Sequence, residues 1–230
     1  MIVITSCTAS KQDTIPIPKE AKTVQPSDYL NDNNLLEELF QVRNQIFNDP
    51  RANLGDNFTY AFDLYVNTGN AYKEIRKYHY EKIKTAIKTR KIQWFFLSGG
   101  YGIINALEPA RKYQATFSRG IAYQNKIPFT AKLWGSTLTK ICDNLIEKQN
   151  PKHVYIFGSR DYTSFIKKTH FWKETDKEKE IKIFESTGSA GPHWISKILG
   201  ELAESTENYR SSLLDNKYPR FIKQNKLRPK

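Results

Sequence analysis

Four short stretches rich in β-branched and aromatic residues punctuate the chain: Ile2–Thr5, Ile92–Leu97, His153–Phe157 and Ile181–Phe184. Most are continuous apolar runs, the pattern of strands covered on both faces. Between them apolar positions recur at helical spacing. One segment carries Tyr72, Ile75, His79, Ile83, Ala86 and Ile87, and a second carries Trp134, Thr137, Leu138, Ile141, Cys142 and Leu145. A third follows Pro192, which sits where a helix begins, with Trp194, Ile195, Ile198, Leu199 and Leu202. Strands alternating with helices predict an α/β fold with a mainly parallel central sheet flanked by helices. Leu35–Phe47 reads as a further helix with Leu35, Leu36, Leu39, Phe40, Val42, Ile46 and Phe47 on a broad apolar face. It lies within Gln12–Phe58, a stretch rich in Asn, Asp and Pro that reads as an inserted loop and helix region after the first strand. Without internal repeats or Gly/Ser linkers, residues 1–216 read as a single domain and 217–230 as a basic tail. That tail is either a solvated end or an arm lying along phosphates.

Composition narrows the class. Of 230 residues 39% are hydrophobic, enough for a buried core and too many for a disordered chain. Lys+Arg 36 against Asp+Glu 24 gives a net charge of +12, which favours a polyanionic partner, nucleic acid foremost. Two cysteines, Cys7 and Cys142, exclude a disulfide framework and a four-thiolate zinc site. His79, His153, His170 and His193 lack metal-ligand spacing, and neither a GxxxxGK[ST] loop, a GxSxG elbow nor a dinucleotide fingerprint occurs. No metal and no cofactor are therefore expected. The apolar start is too short for a signal peptide and no run of about 18 apolar residues exists, so a soluble cytoplasmic protein without a membrane partner is expected.

What each strand runs into is more informative. The first strand is followed by Ser6-Cys7-Thr8-Ala9-Ser10-Lys11 and the second by Ser98-Gly99-Gly100-Tyr101-Gly102. The third enters Gly158-Ser159-Arg160-Asp161-Tyr162, and the fourth enters Ser186–His193. Ligands of open parallel sheets bind beyond the carboxyl ends of the strands. Small residues there let a substrate approach the backbone, whose N–H groups can hold a phosphate or oxyanion. Asp161 reads either as a helix N-cap or as a carboxylate aimed into this cleft. Glu108 reads as a salt-bridge partner of Arg111 or as a catalytic group. Lys11 is a loop lysine or a phosphate contact, and Cys7 a packed or a reactive thiol. Asp63 and Tyr65 precede a turn at Gly69–Tyr72, and His193 starts a packed helix with its ring toward the cleft.

The order of these loops resembles a known superfamily. Leu97-Ser98-Gly99-Gly100-Tyr101-Gly102-Ile103-Ile104 with Leu107-Glu108 and Tyr113 is similar to the LSGLYGxLxPxDxIxxY stretch of YaaA-like peroxide-stress proteins. Asp63-Leu64-Tyr65 with Gly69–Tyr72 resembles the segment before that family's first long helix. Leu133–Thr139 resembles its FWGxxIT helix start, and Asp161 falls at the Glu of its Asn-Leu-Ala-Ser-x-Glu-Tyr run. Ser6-Cys7-Thr8 to Lys11 resembles the CSxxK start of a uracil-DNA-glycosylase-like domain of archaeal tRNA-guanine transglycosylases. Asn105-Ala106 departs from the family's Pro-x-Asp run.

The resemblance implies a DNA-binding α/β protein with a basic cleft, among whose relatives are bacterial antiphage enzymes that excise modified bases from viral DNA. The expectation is a DNA glycosylase acting on a flipped modified or damaged base, with phage DNA among its possible partners. Asp161 is the first choice for the carboxylate opposite the sugar, with Asp63 and Glu108 as alternatives. Tyr65, Tyr101, Tyr113 and Tyr162 would hold the base. Lys11, Arg111 and Arg160 would hold flanking phosphates, Ser98 with the glycine-loop amides, Gly99 among them, would contact base or phosphate, and Cys7, Ser159 and His193 complete the expected substrate-binding set. The alternative is a non-catalytic DNA-binding stress protein, and a third reading is an enzyme of free nucleosides or tRNA.

Overall fold

The computed structural model describes residues 1–13, 15–174, 179–186 and 222–224. The first half holds β1 (Ile2–Ser6), α1 (Pro26–Tyr29), α2 (Asn33–Phe47), β2 (Phe58–Tyr60), α3 (Ala61–Val66) and α4 (Tyr80–Lys88). Then come β3 (Gln93–Ser98), β4 (Gly102–Asn105), β5 (Pro109–Arg111), α5 (Arg119–Asn125) and α6 (Ala131–Gln149). The chain continues through β6 (His153–Ser159), α7 (Arg160–Ile166), α8 (His170–Lys173), β7 (Glu180–Ser186) and β8 (Ile222–Gln224). The helix read after Pro192 lies outside the described residues, as do His193 and most of the basic tail.

The main sheet has the order β4-β3-β1-β6-β7-β8. Its four inner strands are mutually parallel, and they are the four read from the apolar runs. The edge strands β4 and β8 run antiparallel. Three residues of the stretch read as a tail therefore form a sheet edge. Between β1 and β3 the chain passes through α1–α4 and then returns to one side of β1, whereas β6 joins on the other. That reversal of direction is a topological switch point, and it falls at the carboxyl end of β1.

Side-chain alternation on β3 assigns the two faces. Phe95 meets Tyr29 of α1 at a ring separation of 5.2 Å. Trp94 and Phe96 point the opposite way, toward Phe62 and Tyr65 of α3 and toward Tyr72. Thr5 on β1 is polar yet buried, and its hydroxyl accepts from Trp94 Nε1 at 2.9 Å and Tyr72 Oη at 2.8 Å. The segment read as one helix from Tyr72 to Ile87 is broken. A 3-10 turn at Asn70–Tyr72 and a π turn at Ile75–His79 precede α4, although Ile75, Ile83 and Ile87 are buried as the spacing implies.

Helix α2 begins with Asp32 capping the amides of Asn34 and Leu35. Its buried stripe is Leu35, Leu39, Arg43 and Ile46, so a cation occupies the apolar face and Phe40 is left exposed. A buried guanidinium must have all its donors satisfied. Arg43 Nε donates to Tyr101 O at 3.0 Å, Nη2 to Ile103 O at 2.9 Å and Nη1 to Glu108 at 2.6 Å. Tyr29 Oη completes the group by donating to the other Glu108 oxygen at 2.8 Å. Burial works against the charge on Arg43, but the Glu108 carboxylate beside it outweighs this and the net direction is upward.

Removing one member would leave the other charge buried alone. Arg43→Ala is expected to lower stability by about 3–5 kcal/mol in chemical denaturation. Arg43→Ala combined with Glu108→Gln is expected to lose less than the sum of the single changes, and strict additivity would contradict the pairing.

Candidate functional site

Residues from three strand ends and two distant segments converge beyond β1, β3 and β6. Ser98 closes β3 and is fully buried; its Oγ accepts from Tyr101 N at 2.9 Å, shares a hydrogen bond with Tyr113 Oη at 2.6 Å and accepts from Tyr65 Oη at 3.3 Å. Tyr65 and Tyr113 also share a hydrogen bond at 3.2 Å. Across the switch point Cys7, just past β1, lies with its Sγ 3.5 Å from Tyr162 Oη at the start of α7. Lys11 returns over the same ground, with Nζ 4.2 Å from the centre of the Tyr113 ring. Cys7, Lys11, Tyr65, Ser98, Tyr113 and Tyr162 are thus one neighbourhood. The fourth strand-end loop, with His193, falls outside the described residues.

The electrostatics of this neighbourhood come from burial. Desolvation pushes the phenols of Tyr65, Tyr113 and Tyr162 well above their usual range, so they are neutral hydroxyls rather than anions. Burial also holds the Lys11 ammonium below the usual lysine range; Cys7 pulls the other way and Lys112 adds to the lowering. Lys11 is 8% exposed, donates to Ala9 O over 3.4 Å and has no carboxylate partner among the described residues. An ammonium has three protons to place, so this one has unused donor capacity.

The glycine turn serves a different end from the one expected. The spaces beside its glycines are occupied by the protein itself. A Cβ on Gly100 would fall 2.6 Å from the Tyr113 ring, and one on Gly102, whose φ is +71°, would fall 2.5 Å from the Trp134 ring. Gly99 O accepts from Thr130 Oγ1 at 2.7 Å and from Trp134 Nε1 at 3.1 Å. These small residues let β3 and β4 turn tightly against two aromatic rings, instead of opening the backbone to a substrate.

The three candidate carboxylates separate clearly. Asp63 is 1% exposed and sits 2.9 Å from Lys84 Nζ, with Tyr80 Oη also donating to it. Tyr65, two residues on, is about 200° around α3, so the helix that presents Tyr65 to the cluster turns Asp63 away. Glu108 pairs with Arg43 and not with Arg111, whose guanidinium lies over the Phe58 ring at 5.4 Å. Asp161 is exposed in the first turn of α7 and has no ion pair among the described residues. It is not the N-cap; Ser159 holds that position without a side-chain cap bond, and Arg160 follows it, exposed. A carboxylate in the first turn is favoured by the helix dipole.

The four tyrosines expected to hold a base are packed against protein. Tyr65 and Tyr113 have no exposed surface, and Tyr101 meets Tyr113 and Phe47 edge-on with ring separations of 5.4 and 4.8 Å. Tyr162 is half-buried, 4.9 Å from Phe117. Two residues that sequence reasoning did not single out, Phe117 and Thr130, hold the rim. A cavity of about 360 Å³ lies elsewhere, at the amino end of β3, lined by Tyr60, Lys88, Arg90, Gln93 and Asn105 among others, and contains none of the expected site residues. Among the described residues there is no group of three or more His, Cys, Asp and Glu able to hold a metal, and no helix long and apolar enough to cross a membrane.

The state of Lys11 can be read from stability against pH. With its folded pKa below the ordinary 10.5, the unfolded chain holds more protons between the two values, so stability rises with pH through that window. Lys11→Met is expected to be more stable than the wild type at pH 7, with the difference shrinking as pH approaches 10.5. A difference that stays constant over that range would contradict a desolvated ammonium.

A scan of the sequence against protein-family models gives no match, and a search of the curated proteins gives none either.

Proposed function

We propose that this protein is a DNA glycosylase that hydrolyses the N-glycosidic bond of a modified or damaged base, leaving an abasic site. The observation that carries this reading is the neighbourhood at the switch point. Lys11, Cys7, Ser98 and Tyr162 gather beyond the strand ends, and Asp161, next to Tyr162 in the first turn of α7, is the one candidate carboxylate without an ion pair among the described residues. In a chain of net charge +12, such a site is suited to a polyanion. The resemblance to YaaA-like and uracil-DNA-glycosylase-like proteins points the same way, with Gln12–Phe58 as an insertion relative to that pattern and a cytoplasmic role against phage DNA as one setting.

The chemistry needs few groups. As the bond from C1′ to the base nitrogen breaks, positive charge develops on the deoxyribose, and a carboxylate near C1′ stabilises it. Asp161 takes that role and orients water, whose oxygen bonds to C1′ while its proton passes to the departing base. Lys11, with unused donor capacity, holds an oxyanion of substrate, and Arg160 at the rim meets a flanking phosphate.

A second reading, a non-catalytic DNA-binding stress protein, is favoured by one observation: Tyr65 and Tyr113 are fully buried and offer no face to a base. The two readings part on product. Incubation with phage DNA carrying hypermodified bases is expected to give free base by mass spectrometry and alkali-labile strands. Asp161→Asn is expected to lower that rate by at least about 100-fold. Bound DNA with no released base would favour the second reading, and an active Asp161→Asn variant would remove Asp161 from the chemistry.

A further inference from the structure

The chain from Thr116 to Thr130 leaves the site and returns to it. Thr116 N donates to Pro128 O at 3.1 Å, Thr130 N donates to Thr116 O at 3.0 Å, and Thr116 forms a bridge with Phe129. The ends are therefore tied together, which makes the excursion a closed surface loop built around α5. Its stem is fastened to the candidate site at two points: Thr130 Oγ1 donates to Gly99 O, beside Ser98, and the Phe117 ring packs 4.9 Å from Tyr162. Ala122 anchors α5 from inside, 6% exposed.

The tip is turned outward. Tyr123 is 89% exposed, Ile121 42% exposed, and Arg119 and Lys126 are exposed beside them. One exposed aromatic ring carries no message by itself. The stretch that carries this one is of one sign: from Pro109 to Cys142 the sequence has no Asp or Glu but contains Arg111, Lys112, Arg119, Lys126, Lys132 and Lys140, of which Arg119 and Lys126 are exposed on the loop itself, Arg119 with its guanidinium 5.6 Å from the Phe129 ring. A ring with both faces in water, flanked by cations that have no acidic neighbours in this stretch, fits a strand that offers a flat base and a phosphate at each step.

We propose that the Thr116–Thr130 loop is a binding site for unpaired DNA, with Tyr123 stacking on an unstacked base and Arg119 and Lys126 meeting the adjacent phosphates. This rests on the nucleic-acid part of the reading above, though not on its chemistry. Because the stem is tied to Gly99 and Tyr162, a strand held on the tip is delivered to the rim that carries Asp161. Single-stranded or gapped DNA is the committed occupant. A fully paired duplex hides its base faces and would meet only the cations.

The test compares binding of a gapped duplex with binding of the same duplex intact, for the wild type and three variants. Tyr123 is so exposed that its replacement leaves folding unaffected. Tyr123→Ala is expected to weaken binding to the gapped duplex by about 5- to 150-fold, and Tyr123→Phe to stay within about twofold of wild type. Tyr123→Trp is expected to bind as wild type and to show fluorescence quenching on the gapped duplex. Arg119→Gln is expected to reduce the slope of affinity against salt by about one ion for either DNA. Wild-type affinity in Tyr123→Ala would overturn the proposal while leaving excision untouched. Tyr123-dependent binding without released base would sustain it and remove the glycosylase chemistry. Failure of the wild type to bind either DNA would remove both, and a Tyr123-dependent preference for single-stranded RNA would overturn the choice of DNA.

Discussion

Ser98 has no contact with solvent, and a buried hydroxyl has to be satisfied from within. The partners that satisfy it come from three places: Tyr65 on α3, Tyr113 after β5, and the amide of Tyr101 in the turn that follows β3. Each of those segments must approach the carboxyl end of β3 for the bonds to form. The glycine turn follows from this, since Tyr113 reaches Ser98 by passing where a side chain on Gly100 would be. So does the siting of the candidate centre: with β3 and β6 on either side of β1, the same convergence brings Cys7 against Tyr162.

A second constraint supports the first. The Arg43 guanidinium binds the carbonyls of Tyr101 and Ile103 as well as Glu108, so α2 grips the β3–β4 hairpin just past the glycine turn. On the other side, Thr130 and Trp134 hold Gly99 from the loop and from α6. The glycine turn is clamped from both sides by bonds that leave few donors spare. Among the described residues near it, Lys11 makes one side-chain hydrogen bond, to Ala9 O, while the first turn of α7 and the tip around Tyr123 are exposed.

Much of the fold was legible in the sequence. The four parallel strands declare themselves because their buried positions form mostly apolar runs, interrupted only by residues such as Thr5 and Lys182 that are buried with polar partners. The strands that were not seen, β2, β4, β5 and β8, are three or four residues long, too short to show any period. The π turn before α4 was hidden because an extra residue in one turn leaves the apolar spacing of its neighbours nearly intact. Of the site, the residues at strand ends, Cys7, Lys11, Ser98 and Tyr162, could be read from position alone. The fates of Asp63 and Glu108 could not, since their counter-charges, Lys84 and Arg43, lie on helices remote in sequence. One signal was available: Arg43 falls on the stripe of Leu35, Leu39 and Ile46, and a cation there requires a buried partner. The depth of Tyr65 and Tyr113 arises from tertiary packing of separate segments and has no local signature.

The proposed glycosylase requires the carboxyl ends of β1, β3 and β6 to form the surface that meets nucleic acid. Amide hydrogen exchange with and without a saturating oligonucleotide containing an abasic-site analogue reads this directly. Protection is expected to concentrate in residues 7–11, 116–130 and 159–163, with little change at 88–93 on the opposite end of the sheet. Protection centred on 88–93, or spread evenly over the molecule, would contradict a nucleic-acid surface at the carboxyl ends of the strands.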